Sequence, residues 1–196
     1  MSWADPDPAR RRGYHVGNLR AQLLDQARAL LAQDGIAALN LRNLAAHVGI
    51  APGSVYHHYA SKSALLAGLA SEGFGQLQAA LDQAASAAGP GLTIRACAMA
   101  YFDFAQSQPA TYALMFDPAL LAEIEVAQAR DAAFAVLERV IGAVASQRGL
   151  SADVTHKVAL AVWACGHGAA SMTPAGSEAS LMEDVIQGLE HLFGRR

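Results

Sequence analysis

Apolar residues recur at helical spacing along most of this chain, and the breaks between the runs fall at glycine and proline. Leu19, Leu23, Leu24, Ala27, Leu30 and Leu31 mark a first helix beginning at Asn18, and Gly35 stands where it should stop. A short helix is predicted from Leu41 to His47, capped by Asn40, with Leu44, Ala45 and Val48 as its apolar face. Gly49 forces a tight turn. A second short helix opens at Pro52, where a missing N–H costs nothing, and is expected to end near Tyr59. Ser61 can cap a fourth helix whose stripe of Leu65, Leu66, Leu69, Phe74, Leu77 and Leu81 runs to about Ala87.

Gly89-Pro90-Gly91 then breaks the chain and is the best boundary signal in it. Further helical patterns follow from Leu92 to Ser107 and from Pro109 to Phe116. One long helix is expected to open at Pro118, carry Ile124, Phe134, Leu137, Ile141 and Val144, and close at Gly149. Val154, Val158, Val162 and Ala169 follow Asp153, and Leu181, Val185, Ile186, Leu189, Leu192 and Phe193 form the last stripe. No alternating strand pattern or internal repeat interrupts this series, so the fold class is all-α. The expected organisation is a flexible arm over 1–16, a helix-turn-helix unit over 17–66, a connecting helix over 67–89 and a larger helical body over 90–196.

Composition agrees: 53% of the 196 residues are apolar, alanine is abundant and only 7% are aromatic. Alanine loses no side-chain entropy in a helix and gives a strand nothing to pack. The net charge of −3 excludes a polycation that coats nucleic acid by bulk charge. It conceals an asymmetry, because residues 1–65 balance to +3 and residues 66–196 to −6. A basic head on an acidic body suits a local polyanion site. Cys97 and Cys165 lack CxxC spacing and read as small core hydrophobes, which fits a reducing, cytoplasmic location. The N-terminal segment lacks the apolar run of a secretory signal, and no stretch suffices for a bilayer span, so no membrane partner is expected.

Helix, short helix, glycine turn, short helix is the order of a helix-turn-helix unit. Leu44, Ile50 and Val55 can form the small core that sets the crossing, leaving Gly53, Ser54 and His57 to face outward. Small and polar groups of this kind approach base edges without clash. Tyr56 and Lys62 bracket that face as phosphate contacts, and Arg42 near the start of the preceding helix is read the same way. Each has a plainer reading, packing for Tyr56 and a solvated charge for Arg42. His57 and His58 lie about 100° apart on a helix and cannot form a compact metal pair. His58 is assigned to packing or a phosphate.

At these residues the chain resembles the tetracycline-repressor (TetR) family of transcriptional regulators. The resemblance runs over roughly residues 17–70, through Gly35-Ile36, Leu41-Arg42-Asn43-Leu44-Ala45, the string from Val48 to Tyr59, Lys62 and Leu65-Leu66. It implies a homodimer that binds a palindromic double-stranded operator through Arg42, Asn43, Pro52, Gly53, Ser54, Tyr56, His57, His58 and Lys62, and is released by a small molecule held in the body. It also implies dimerisation through the last two helices, about 153–171 and 178–193, whose small apolar residues Ala159, Ala161, Ala169, Val185 and Leu189 favour close packing. Trp163-Ala164-Cys165-Gly166-His167-Gly168, with Tyr101, Phe104-Ala105 and the segment from Pro109 to Phe116, is similar to the family branch named after a Trp-His-Gly string. Ala51 departs from the usual Ser or Thr cap, forgoing about 1 kcal/mol. Asn40 for threonine, Ser63 for an acidic residue and Tyr59 for phenylalanine are mild departures.

In the body, Tyr101, Phe102, Tyr112, Phe116, Phe134, Trp163 and His167 are candidate pocket residues, with ordinary core as the alternative. His167 either orients a ligand or bonds a backbone carbonyl. Cys165 and His167 stand two apart on a helix and diverge, so no metal is implied, and no cofactor either. Enzyme motifs are missing: there is no G-x-S-x-G elbow, no H-E-x-x-H and no phosphate loop, and Gly73-Phe74-Gly75 falls inside a helix. A residual enzyme reading would use His167 as a base with Asp103 or Asp117, and a third reading is a dimeric scaffold that binds no DNA. Arg10-Arg11-Arg12 is either a groove-seeking arm or a solvated tail.

Overall fold

A computed structural model describes residues 19–89, 91–174 and 180–193, and all secondary structure in them is helical. The arginine cluster at 10–12 and part of the 173–176 loop lie outside the described residues. The order is α1 (Leu19–Ala38), α2 (Leu41–Val48), α3 (Pro52–Tyr56), α4 (Lys62–Ala87), α5 (Thr93–Ser107), α6 (Pro109–Met115), α7 (Pro118–Leu121), α8 (Ile124–Gln147), α9 (Ala152–Met172) and α10 (Ser180–Phe193).

The caps act where the sequence places them. Asn40 Oδ1 accepts from the Asn43 N–H at 2.8 Å, and Ser61 Oγ accepts from the Ala64 N–H at 3.1 Å. Gly49 takes the left-handed conformation that closes α2, with φ 76°. Such a position favours glycine because it has no Cβ to clash. Ala51 supplies no side-chain cap to α3, so Pro52 alone preorganises that helix start.

Three boundaries differ from the sequence reading. Gly35, at φ 75° and ψ 176°, kinks α1, and the chain recovers a helical turn that ends at Ala38. The second short helix stops at Tyr56, about three residues early. There the N–H groups of His58 and Tyr59 both donate to the Val55 carbonyl at 2.9 Å, tightening the turn and driving Tyr59 into the core. The helix expected from Pro118 to Gly149 is two. Asp117 caps the N–H groups of Ala119 and Leu120, and the extended backbone at Glu123 (ψ 133°) ends the short helix before α8 begins.

α4 is the spine. It packs most extensively on α8, then on α5 and α6, and also meets α1. Its buried face of Leu65, Leu69, Phe74, Leu77 and Leu81 belongs to one apolar core that runs from Leu23 of α1 to Val140 of α8. Head and body therefore share a continuous interior. A second cluster joins Phe102, Ala169, Met182 and Ile186, and a third joins Leu137, Ile141 and Ala159. Among the described residues no helix is long and apolar enough to cross a membrane.

Two further readings need correction. Cys97 is buried, but Cys165 lies exposed on α9 because its position turns away from α5 and α8. Ala159 and Ala169 also face inward, against the protomer's own α8 and α10 clusters, so they are not free to meet another copy.

Candidate functional site

The helix-turn-helix unit rests on the fully buried pair Leu44 and Val55, with half-buried Ile50 against them. Burying Val55 turns the rest of α3 outward. Pro52, Gly53 and Tyr56 are exposed, as are His57 and His58 just past the helix, while Ser54 is half-buried. Tyr56 keeps 48% of its surface in solvent. A side chain on Gly53 would meet nothing within 4 Å, so its surface is open to an approaching groove.

Arg42 is exposed on α2, and Asn43 is half-buried with its backbone N–H held by the cap. Lys62 opens α4, and its ammonium donates to the Ile36 carbonyl at 2.6 Å. That bond pins the start of α4 to the end of α1. An ammonium has three donors, so two remain for an anion.

The head's charge is divided in use. The Arg28 guanidinium donates to Asp25 at 3.0 Å and pairs with Glu72 on α4, tying α1 to the spine. Arg20 lies over the Tyr59 ring at 5.4 Å. The sequence balance counted both with the DNA face, whereas Arg28 pairs with acidic side chains of α1 and α4, and exposed Arg20 covers the Tyr59 ring. Of the other described lysines and arginines of this segment, Arg42 is exposed on α2 and Lys62 stands at the start of α4.

A second site lies in the body. Tyr112 Oη sits 3.0 Å from Tyr101 Oη and 2.7 Å from His167 Nδ1, linking α5, α6 and α9. Aromatic rings enclose this relay. Tyr101 meets Trp163 edge-on with centroids 5.3 Å apart, Trp163 meets Phe134 at 5.6 Å, and Phe116 lies 4.1 Å from the His167 ring. Burial pushes the Tyr101 and Tyr112 hydroxyls up from the ordinary phenol range and pushes the His167 imidazole down, so all three are neutral near pH 7. The His167 partner is thus a tyrosine hydroxyl and not the backbone carbonyl expected, because α6 presents Tyr112 directly to α9.

A cavity of about 370 Å³ opens beside the relay, lined by Gln106, Tyr112, Phe116, His167, Ser171 and Thr173 among others. Of the seven pocket candidates, Tyr112, Phe116 and His167 line it. Tyr101 backs it through its contact with Tyr112, while Trp163 and Phe134 lie further behind in the same chain of rings. Phe102 does not belong, since it packs with Met182 and Ile186 under α10. The sequence reading missed Gln106, Ser171 and Thr173, which carry no local signal. Asp117, a proposed partner for His167, is spent capping α7. Among the described residues no group of His, Cys, Asp and Glu is arranged to hold a metal.

A three-helix head with an outward short helix, joined by one long helix to an all-α body, is the architecture of a helix-turn-helix regulator. Residues 23–69 match the family described as bacterial regulatory proteins, tetR family, and residues 94–195 match the tetracyclin repressor-like C-terminal domain. The chain belongs to the TetR family, whose members are transcriptional regulators and not enzymes. Over 51 residues it is 41% identical to the HTH-type transcriptional repressor KstR2 of Mycobacterium tuberculosis, a match spanning 26% of each chain. The fold also resembles a protein of unknown function from Rhodococcus sp. RHA1, with TM-score 0.75, 28% identity and coverage of 94% of this chain and 96% of that one. A bacterial regulatory protein in the tetR family from Rhodococcus RHA1 shares the fold at TM-score 0.61 and 22% identity, covering 88% and 93%.

Proposed function

We propose that this chain is a repressor that binds a palindromic operator as a homodimer and is released by a small molecule bound in the body. The observation that carries the reading is the exposed surface of α3. Gly53 and Tyr56 stand outward on a helix fixed by buried Val55, with exposed His57 just past it, Arg42 exposed on α2 and Lys62 at the start of α4. Small and polar groups suit base edges, and the flanking hydroxyl and cations suit phosphates.

Dimerisation is assigned to α9 and α10. With Ala159 and Ala169 turned inward, the exposed residues of α9 from Leu160 onward are Leu160, Ala161, Ala164, Cys165, Ser171 and Met172, small or apolar. Isologous pairing there would set two α3 helices in successive major grooves, roughly 34–36 Å apart.

Release by ligand follows from α6, which carries Tyr112 and Phe116 at the cavity and packs on both α1 and α4. A ligand that displaces α6 would pivot α4 and spread the heads. Linkage then requires DNA to weaken ligand binding by the same factor, typically 1–3 kcal/mol of coupling. Placement of the body in the Trp-His-Gly branch rests on the string from Trp163 to Gly168, whose His167 reaches this cavity.

Selection of bound duplexes from a random pool by the full chain tests the reading. Enrichment of an inverted repeat with half-sites about one helical turn apart is expected. Recovery of no enriched sequence, or a monomer at micromolar concentration, would overturn it and leave the scaffold alternative.

A further inference from the structure

The cavity described above has a chemistry narrower than its family assignment requires. Among the described residues its lining contains alanines, Pro109, Gln106, Ser171, Thr173, and the rings of Tyr112, Phe116 and His167, with no Asp, Glu, Lys or Arg. A charged ligand entering it would lose water without meeting a countercharge, which is costly. Its volume of about 370 Å³ is that of a small organic molecule.

The relay engages His167 through Nδ1. Tyr112, which Ser171 also bonds, stands between Tyr101 Oη and His167 Nδ1, and the order in which Tyr101 donates to Tyr112 and Tyr112 to Nδ1 leaves no buried hydroxyl proton without an acceptor. An imidazole that accepts at Nδ1 while neutral carries its proton on Nε2. With Nδ1 bonded to Tyr112, the Nε2–H is the donor this order leaves for a ligand. Phe116 and Tyr112 flank it as ring walls, with centroids 4.1 Å and 5.7 Å from the imidazole.

We propose that the effector is an uncharged, ring-bearing molecule that offers a carbonyl or similar oxygen to the Nε2–H of His167. This rests on the ligand-released regulator reading and deepens it by naming the ligand class. The tyrosine relay selects the class by keeping His167 a neutral donor, and the charge-free walls reject carboxylates and amines of the same shape.

Four probes of one shape test this by calorimetry on the full-length protein near neutral pH: 2-acetonaphthone, 2-ethylnaphthalene, 2-naphthoate and 2-naphthylmethylammonium. The ketone should bind about fivefold tighter than the hydrocarbon, which lacks the acceptor, and roughly tenfold or more tighter than either ion. In His167→Phe the ketone should fall to the level of the hydrocarbon, with DNA binding by the same preparation reporting that the variant is folded. Binding of either ion as tightly as the ketone, no binding of any probe, or a folded H167F that keeps the ketone preference would overturn the proposal. The probe comparison on the unsubstituted protein decides the matter even if H167F does not fold. Inverted-repeat recognition by the same protein is scored separately. Loss of the probe pattern with DNA recognition intact removes only the ligand class, whereas failure to bind any duplex removes the regulator reading.

Discussion

A β-carbon on Gly73 would lie 2.7 Å from the Sδ of Met115, and 2.9 Å from Thr111 Cγ2, so the bare backbone at Gly73 is what seats α6 against α4. Met115 is fully buried and cannot swing away cheaply. Gly73→Ala should therefore destabilise the protein by about 1–3 kcal/mol of overpacking, less the helix propensity gained. At Gly75, one turn face away, a β-carbon meets nothing within 4 Å. Gly75→Ala should stabilise by about 0.5–1 kcal/mol. Urea midpoints of the two variants should move in opposite directions, and a stabilised G73A would mean that α6 is not held by this contact.

Lys62 and His57 should fail differently. Lys62→Ala removes a phosphate cation and the bond to Ile36, and should weaken binding about equally on all duplexes while flattening the salt dependence by roughly one unit of slope. His57→Ala and Gly53→Val should alter sequence preference. A uniform loss for either would reassign it from base reading to positioning.

Tyr112→Phe deletes the hydroxyl that joins Tyr101 to His167, leaving a buried phenol without its acceptor. The expected cost is about 1–3 kcal/mol, measured by chemical denaturation. Tyr101→Phe removes only the terminal donor and should cost about 0.5–1.5 kcal/mol. Equal costs would mean that Tyr112 has found another partner.

Burial lowers the His167 pKa beneath the ordinary imidazole value of about 6.5. Between the native and unfolded values the unfolded chain binds more protons, so stability is full above about pH 6.5 and falls as the pH drops through the lowered native pKa. Denaturation midpoints compared at about pH 7.5 and about pH 5 should show a larger loss in the unsubstituted protein than in H167F. The same loss in both would assign the acid sensitivity to other groups.

Thiol labelling separates the two cysteines and reads the oligomer. Cys97 is buried, with its thiol pushed up by desolvation, and should react only on unfolding. Cys165 is exposed on α9 and should react in the native protein at low concentration. If α9 is the dimer face, that reaction should slow as the protein concentration rises. A rate independent of concentration would move the interface elsewhere.

Much of this architecture is legible before any coordinates exist, because helical periodicity and capping are local. Asn40, Gly49, Pro52 and Ser61 punctuate the head through bonds that span four residues or fewer, and the structure repeats them. The family resemblance is local for the same reason, since its residues lie within one unit of about fifty. The early stop of α3 is the exception. It depends on Tyr59 being drawn into a core assembled from distant helices, which no window around Pro52 contains.

Charge and aromatic chemistry were legible only as inventories. The sequence by itself determined that the chain is helical, that a helix-turn-helix precedes a larger body, and that outward Gly53 and Tyr56 flank an inward Val55. Tertiary packing alone decided that Arg20 covers Tyr59 and Arg28 pairs with Asp25 and Glu72, that Phe102 leaves the pocket set, and that Cys165 faces out. It also joined Tyr112 to His167 across 55 positions. The physical reason is range: periodicity, caps and turns act within a helical turn or two, whereas ion pairs, ring stacks and relays depend on which faces meet once separate helices close on α4.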